Sequence, residues 1–188
     1  SIWKDIKRNQ KSKKILENID IGGPAMARAA AKNYNDVVII TGVNQYEEFI
    51  LNMKKNNGST SLKFREKMAK EAFLETGYYD TKISNYFNEI AKDDFPRKKL
   101  ISYNLIEKLR YGENPHQEAS LYSVSNFNLK KLHGKQLSYN NYNDMFTALK
   151  ISKSLPKNKG TVVIKHANPS GISINKNNLE SLKSAIKC

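Results

Sequence analysis

Two short runs of β-branched residues limit most strongly what this chain can fold into. They lie at residues 36–41 and 160–164, and each is continuous rather than alternating with polar residues. Such a run is typical of a strand that is covered on both faces, as in a sheet packed between helices. The sequence therefore predicts an α/β fold with buried strands.

The segments around the first run have helical patterns. Pro24 suits the first turn of a helix, and residues 25–32 are rich in alanine, a strong helix former. Residues 45–55 carry an apolar stripe at helical spacing, and residues 61–91 predict a long helix with a break at Gly77. A helix before the strand and two after it indicate the last part of an α/β domain.

A polar segment at residues 92–99 predicts a linker, and beyond it the long helical patterns give way to irregular segments rich in polar residues. We therefore expect two domains, residues 1–105 and residues 106–188. In the second domain the patterns predict strands at 119–124 and 160–164, a polar loop at 134–143, and helices at 144–155 and 179–186.

The charge balance is strongly basic, with 32 Lys and Arg residues against 18 Asp and Glu residues and a formal net charge of +14. A charge of this sign suits a nucleic-acid-binding module. The cations are spread along the whole chain, however, and form no long stripe interleaved with aromatic residues. This distribution favours an ordinary solvated surface, so we expect no nucleic-acid partner.

The sequence also limits the cellular context. No apolar run approaches the roughly 18 residues that span a bilayer, and the basic, polar start lacks the apolar core of a signal peptide. The one cysteine, Cys188, excludes an internal disulfide framework and a multi-cysteine zinc site. We expect no membrane partner, no metal and a cytoplasmic location. A start at Ser1 and an end at Cys188 suggest an internal fragment of a longer protein.

The first candidate site is the segment at residues 18–24, which leads into the alanine-rich helix. Backbone N–H groups at a helix start attract anions, and Gly22 and Gly23 would let a ligand approach the backbone closely. Asp20 could exchange a proton, and Lys32 could stabilise an oxyanion. Spacing alone favours a simple glycine turn with a solvated lysine. A straight helix would separate Pro24 from Lys32 by roughly 12 Å.

Two further polar segments could bind a ligand. In residues 110–117, the guanidinium of Arg110 suits phosphate or carboxylate, and the ring of Tyr111 can stack on a base. A hydrogen-bonded loop that ties two domains together is an equal alternative. Residues 134–141, which include Asn140, are either a ligand loop or a turn into the next helix.

The last candidate is the segment at residues 165–171, directly after the second predicted strand. Ligands of α/β sheets usually bind at the carboxyl edge of the strands, where Lys165 and His166 would lie. Histidine is the natural general base near neutral pH, and an ammonium group can stabilise a developing oxyanion. This pair favours a catalytic role over a merely polar strand end.

Taken in order, residues 17–24, 28–33, 110–117, 134–141 and 165–169 resemble one family. It is the family of bifunctional purine biosynthesis enzymes that join AICAR transformylase to IMP cyclohydrolase. The resemblance implies a first domain similar to methylglyoxal synthase, of which this chain has the C-terminal part. It implies a second domain with a cytidine-deaminase-like fold and no metal, of which the chain has the start.

The resemblance also implies an activity. The enzyme transfers the formyl group of its co-substrate 10-formyltetrahydrofolate to AICAR, and formyl-AICAR then closes to IMP with loss of water. It further implies a homodimer for the full-length protein and little or no activity for this chain alone. A nucleic-acid-binding module and a non-catalytic assembly fragment remain the alternatives.

Site residues follow from the same resemblance. Asp20 and Lys32 match cyclohydrolase residues, with Gly22 and Gly23 beside them in a substrate-binding segment. The transformylase pair is His166, which would take a proton from the amino group of AICAR, and Lys165, which would stabilise the tetrahedral oxyanion. The residues matched to binding of the AICAR nucleotide, or proposed beside them, are Arg110, Tyr111, His116 and Asn140.

Overall fold

The computed structural model describes residues 12–124, 127 and 129–187. Cys188, on which the thiol argument rests, lies outside the described residues. The chain divides into two compact units, one ending at Ser102 and the other beginning at Tyr103. The boundary predicted from sequence falls between residues 105 and 106. Both helices and strands are present, as expected for a mixed α/β chain.

The described part of the first unit is helical. Its elements are α1 (Ser12–Glu17), α2 (Gly22–Lys32), a 3₁₀ turn (Val43–Gln45), α3 (Tyr46–Lys55) and α4 (Leu62–Ala91). Helix α4 begins after Ser61, whose hydroxyl accepts the Phe64 N–H at 3.2 Å, and ends at Lys92 in the left-handed conformation. The three predicted helices are confirmed. The predicted break at Gly77 is wrong, because a single glycine costs a helix interior only about 1 kcal/mol.

The first predicted strand is also wrong. Residues 37–41 form no strand in the described part of the chain. A strand needs a neighbouring strand to satisfy its backbone, and the other described elements of this unit are helices. Ile39 instead packs with Tyr34 against a buried cluster of Ala31, Ala69 and Ala72. The apolar run is half-buried at residues 38–41 and exposed at Val37, without strand pairing.

Small side chains and one arginine hold the first unit together. The buried alanines let α2 and α4 approach closely. On α4, Arg65 Nε donates to the Tyr34 carbonyl at 2.8 Å and Nη2 donates to the Asn35 carbonyl at 2.6 Å. Because these carbonyls follow α2, Arg65 fixes the chain between that helix and the run at residues 37–41.

In its described residues, the second unit contains two antiparallel strand pairs and two helices. The pairs are β1 (Asn104–Lys108) with β2 (Ser120–Ser123), and β3 (Gly160–Lys165) with β4 (Asn168–Ile174). The helices are α5 (Tyr139–Ser152) and α6 (Asn178–Ile186). The strands predicted at 119–124 and 160–164 and the helix predicted at 179–186 are confirmed, but β3 is half-buried rather than covered on both faces as predicted. Strands β1 and β4 are absent from the sequence prediction.

Two details of the second unit correct the sequence analysis. Helix α5 begins at Tyr139 rather than at residue 144, because Ser138 and Asn141 form a reciprocal cap that starts the helix inside the predicted polar loop. Strand β3 pairs antiparallel with β4 through a tight turn. Lys165 and His166 therefore lie at a hairpin end, not at the carboxyl edge of a parallel sheet.

Helix α5 is anchored by aromatic contacts. Phe127, which lies outside the helix, has its ring centre 6.1 Å from that of Tyr142 and 6.3 Å from that of Phe146. The Tyr142 hydroxyl donates a hydrogen bond to the Glu107 carboxylate on β1. Burial and this carboxylate raise the pKa of Tyr142 to about 12. The phenol is therefore a neutral donor that ties α5 to β1.

Candidate functional site

In the second unit, the loop at residues 110–117 is bound to the start of α5 by three hydrogen bonds. The Arg110 N–H donates to the Leu137 carbonyl at 2.9 Å, and the Tyr139 N–H donates to the Tyr111 carbonyl at 3.1 Å. The side-chain amide of Asn140 donates to the Glu113 carbonyl at 2.9 Å. Two polar segments that are separate in the sequence therefore form one surface.

The same loop is closed by its own hydrogen bonds. The Gly112 N–H donates to the Gln117 carbonyl at 2.7 Å, and Gln117 Oε1 accepts the Asn114 N–H at 2.8 Å. Gly112 is buried, and a Cβ there would lie 2.9 Å from the Gln117 Cβ. The loop thus has a defined shape that glycine permits, as a binding loop requires.

Arg110 and Tyr111 form a stacked pair on this loop. The guanidinium carbon lies 4.7 Å from the centre of the Tyr111 ring, and Nη2 donates to the Tyr111 hydroxyl at 2.9 Å. The Arg110 side chain is exposed. Its remaining N–H donors suit a phosphate or carboxylate group, since a guanidinium presents several donors in one plane.

His166 and Asn140 lie on one cavity of about 160 Å³. Its wall also includes Glu113 and Asp144, and the cavity is bounded by α5, the loop at residues 110–117 and the β3–β4 turn. An imidazole, amide groups and carboxylates therefore surround a polar space. The structure brings these two predicted residues together from 26 positions apart in the sequence.

The other predicted residues of this unit are placed differently. Arg110 and His116 line a neighbouring cavity of about 210 Å³. Lys165 and Tyr111 line neither of these two cavities in the described part of the chain. Lys165 is the last residue of β3, next to His166, and its side chain is exposed.

The first unit holds a separate candidate site at the start of α2. Asp20 Oδ1 accepts the Gly23 N–H at 2.9 Å, and the Asp20 N–H donates to the Tyr79 hydroxyl at 2.8 Å. Asp20, Gly23 and Tyr79 line a cavity of about 450 Å³. The Asp20 carboxylate is thus held at the N-terminus of a helix, where negative charge is favoured.

Gly22 and Lys32 are not part of that cavity wall. Gly22 is exposed at the first position of α2, and Lys32 is exposed at its last. The structure therefore places Asp20 and Lys32 at opposite ends of one helix, as the spacing predicts. Any ligand that contacts both must extend along α2.

Sequence reasoning missed two residues of these sites. Tyr79 reaches Asp20 from 59 residues away, and Asp144 reaches the N–H of Ala167 from 23 residues away. Both lie inside helical patterns, where nothing in the sequence separates a site residue from an ordinary helix residue. The asparagine-rich start of α5 was the one sequence feature that indicated polar surroundings near Asp144.

Within the described residues, no group of three or more His, Cys, Asp and Glu side chains could hold a metal ion. The same part of the chain contains no helix that combines the length and the apolar character needed to cross a membrane.

Comparison with known proteins gives the family. The model of a family described as the AICARFT/IMPCHase bienzyme matches residues 30–188. The chain belongs to this family.

Several relatives carry the name bifunctional purine biosynthesis protein PurH. That of Rhizobium leguminosarum bv. trifolii is 44% identical over 182 residues, which cover 92% of this chain and 34% of the relative. That of Acetivibrio thermocellus is 43% identical over 174 residues, with 89% and 34% covered. The protein of Prochlorococcus marinus is 44% identical over 185 residues, with 92% and 35% covered. The chain spans about a third of the length of these curated relatives.

Proposed function

We propose that this chain is part of a bifunctional enzyme of purine synthesis. The enzyme transfers the formyl group of 10-formyltetrahydrofolate to AICAR and then closes formyl-AICAR to IMP with loss of water. The observation that carries the proposal is the family match over residues 30–188, together with 44% identity to a protein named for both purine biosynthesis and bifunctionality. Since the chain spans about a third of such relatives, it would supply only part of each active site.

The proposal divides the chain between two domains. Residues 1–105 would be the last part of a cyclohydrolase domain similar to methylglyoxal synthase, and residues 106–188 the first part of a cytidine-deaminase-like transformylase domain. The division into compact units at Ser102 and Tyr103 supports a boundary in this region.

In formyl transfer, His166 would accept a proton from the amino group of AICAR as its nitrogen attacks the formyl carbon. Lys165 would stabilise the oxyanion that forms on the formyl oxygen. Collapse of this adduct would break the bond between the formyl carbon and the folate nitrogen, which takes up a proton as tetrahydrofolate leaves. Asn140, which shares a cavity with His166, would contact the substrate. The exposed donors of Arg110 would bind the phosphate, and the Tyr111 ring and His116 would complete the nucleotide site.

In ring closure, the carboxamide nitrogen of formyl-AICAR attacks the formyl carbon, and the adduct loses water. Asp20 would move a proton, and Lys32 would stabilise negative charge on the oxygen. Gly22 and Gly23 would let the ligand approach the backbone closely at this helix start, where the Gly23 N–H is already held by Asp20. The cavity beside Asp20 supports binding at this end of α2.

The full-length protein would be a cytoplasmic homodimer that acts on small molecules, uses no metal, and binds neither nucleic acid nor membrane. The chain by itself would have neither activity, because both sites would lack residues from the rest of the protein. Detectable ring closure by the purified chain would contradict that last statement.

Nucleotide binding tests the function directly. A calorimetric titration of the full-length protein with AICAR should show saturable binding. Arg110→Ala should weaken this binding by about 10-fold or more, because a charge-assisted contact is lost. Lys150→Ala, which removes an exposed cation that lines neither of the two cavities described for this unit, should change the affinity far less. Binding of DNA that falls steeply with salt, without binding of AICAR, would instead favour the nucleic-acid alternative.

A further inference from the structure

The turn between β3 and β4 has an unusual backbone. Lys165 pairs with Asn168, so His166 and Ala167 alone form the turn. Both have positive φ, 53° and 58°. A type I′ two-residue hairpin requires this conformation at both positions; asparagine and glycine adopt it readily and histidine is tolerated there, whereas alanine is not favoured. Ala167 therefore works against the shape of the turn, and contacts from outside help to maintain it.

One such contact comes from Asp144 on α5. Its Oδ1 accepts the Ala167 N–H at 2.6 Å. Asp144 is half-buried and lines the same cavity as His166. Asn168 adds a second contact, because its side-chain amide donates to the His166 carbonyl at 2.9 Å. The backbone of the turn is thus held from α5 on one side and from β4 on the other.

Helix α5 is itself fixed in place. The Ser138 cap sets where it begins, and the Tyr142 hydroxyl ties it to Glu107 on β1. Asn140, two residues after the cap, holds the carbonyl of Glu113 in the loop at residues 110–117. A carboxylate on this helix therefore fixes the turn relative to the loop that carries Arg110 and Tyr111.

We propose that Asp144 is a positioning residue for formyl transfer, and that it acts by holding the His166–Ala167 turn in the conformation that places the imidazole in the cavity beside Asn140. This inference rests on the proposed function of His166. The hydrogen bond from Ala167 uses one oxygen of Asp144, so the role needs an acceptor at this place and not a negative charge. Asparagine, which keeps an oxygen acceptor of the same shape, should therefore replace aspartate.

The test uses the full-length protein and measures both reactions for three variants. Asp144→Ala should lower kcat of formyl transfer about 10-fold or more, with both KM values within about threefold, because the base is misplaced while substrate contacts remain. Asp144→Asn should keep at least about a third of the parent kcat. Ring closure of formyl-AICAR should be unchanged in both variants, and the retained KM values of formyl transfer control for the folding of the second unit. His166→Ala is the reference.

The outcomes separate the two claims. If His166→Ala lowers formyl transfer but Asp144→Ala does not, the positioning role is wrong and the function of His166 stands. If Asp144→Asn lowers kcat of formyl transfer as far as Asp144→Ala does, the proposed role of the acceptor is wrong. The same follows if Asp144→Ala raises KM and leaves kcat unchanged. If His166→Ala leaves formyl transfer intact, the proposed function of His166 fails and the inference fails with it.

Discussion

Single atoms decide the geometry of both candidate sites. At the start of α2, the Gly23 N–H and the Tyr79 hydroxyl fix Asp20. A Cβ at Gly23 would overlap Asp20 Oδ2, whereas nothing lies within 4 Å of a Cβ at Gly22. The two neighbouring glycines therefore have different structural roles. Gly23 permits the Asp20 carboxylate to approach the backbone, whereas a side chain at Gly22 would meet open space.

This difference predicts unequal effects of alanine at the two positions. Gly23→Ala should lower the free energy of unfolding by about 1–2 kcal/mol, because the Asp20 carboxylate must leave the helix start. Gly22→Ala, the matched control, should change it by less than about 0.5 kcal/mol. Urea unfolding followed by circular dichroism measures both. Equal effects would show that Asp20 does not pack against Gly23.

The raised pKa of Tyr142 predicts that the free energy of unfolding depends on pH in the alkaline range. Burial, with the Glu107 carboxylate as acceptor, raises its pKa from 10.0 to about 12. The folded protein thus holds this proton more tightly than the unfolded chain, so the contribution to stability is complete below pH 10 and is lost as the pH rises toward 12. In Tyr142→Phe, the free energy of unfolding should therefore fall less over that range than in the parent.

The same variant should be less stable near neutral pH, by about 1–3 kcal/mol, because the Glu107 carboxylate loses a buried donor. Urea titrations across the pH range measure both effects, and the lysines that titrate in this range are common to both proteins. Parallel pH profiles of parent and variant would contradict the assigned pKa of Tyr142.

Among the elements, helices follow from the sequence better than strands do. Helix α4 extends through Gly77 because the helical pattern continues on both sides, and an exposed glycine weakens a helix without ending it. The run at residues 37–41 resembles a strand, but a strand depends on a partner that the run itself does not encode. Strand β4 was missed because Asn168, Pro169 and Gly171 are poor strand formers, and the pairing with β3 overrides them.

The packing of α6 on β4 gives a prediction at this scale. A Cβ at Gly171 would overlap the Ala185 carbonyl of α6, so this glycine permits the close approach of the two elements. Gly171→Ala should lower the free energy of unfolding of the second unit by about 2 kcal/mol or more.

Gly77→Ala is the control for glycine replacement in general. Nothing lies within 4 Å of a Cβ there, so the variant should be more stable than the parent by about 0.5–1 kcal/mol. Thermal unfolding distinguishes the two. A stabilised Gly171→Ala would show that α6 does not lie directly on β4.

For the whole molecule, the sequence motifs indicate more about function than about spatial arrangement. Their order along the chain suffices for the resemblance, and the family match over residues 30–188 confirms it. The meeting of His166 and Asn140 on one cavity depends on the packing of α5 against β3, which no local pattern encodes. The contact between Asp144 and Ala167 depends on the same packing, and so it could not be predicted.

The central claim is that the two units contribute to two separate reactions. Parallel assays of His166→Ala and Lys32→Ala in the full-length protein test it most directly. We predict that His166→Ala lowers formyl transfer at least about 100-fold and leaves ring closure within about twofold, and that Lys32→Ala does the reverse. If either substitution lowers both reactions equally, or neither, the assignment of one reaction to each unit is wrong.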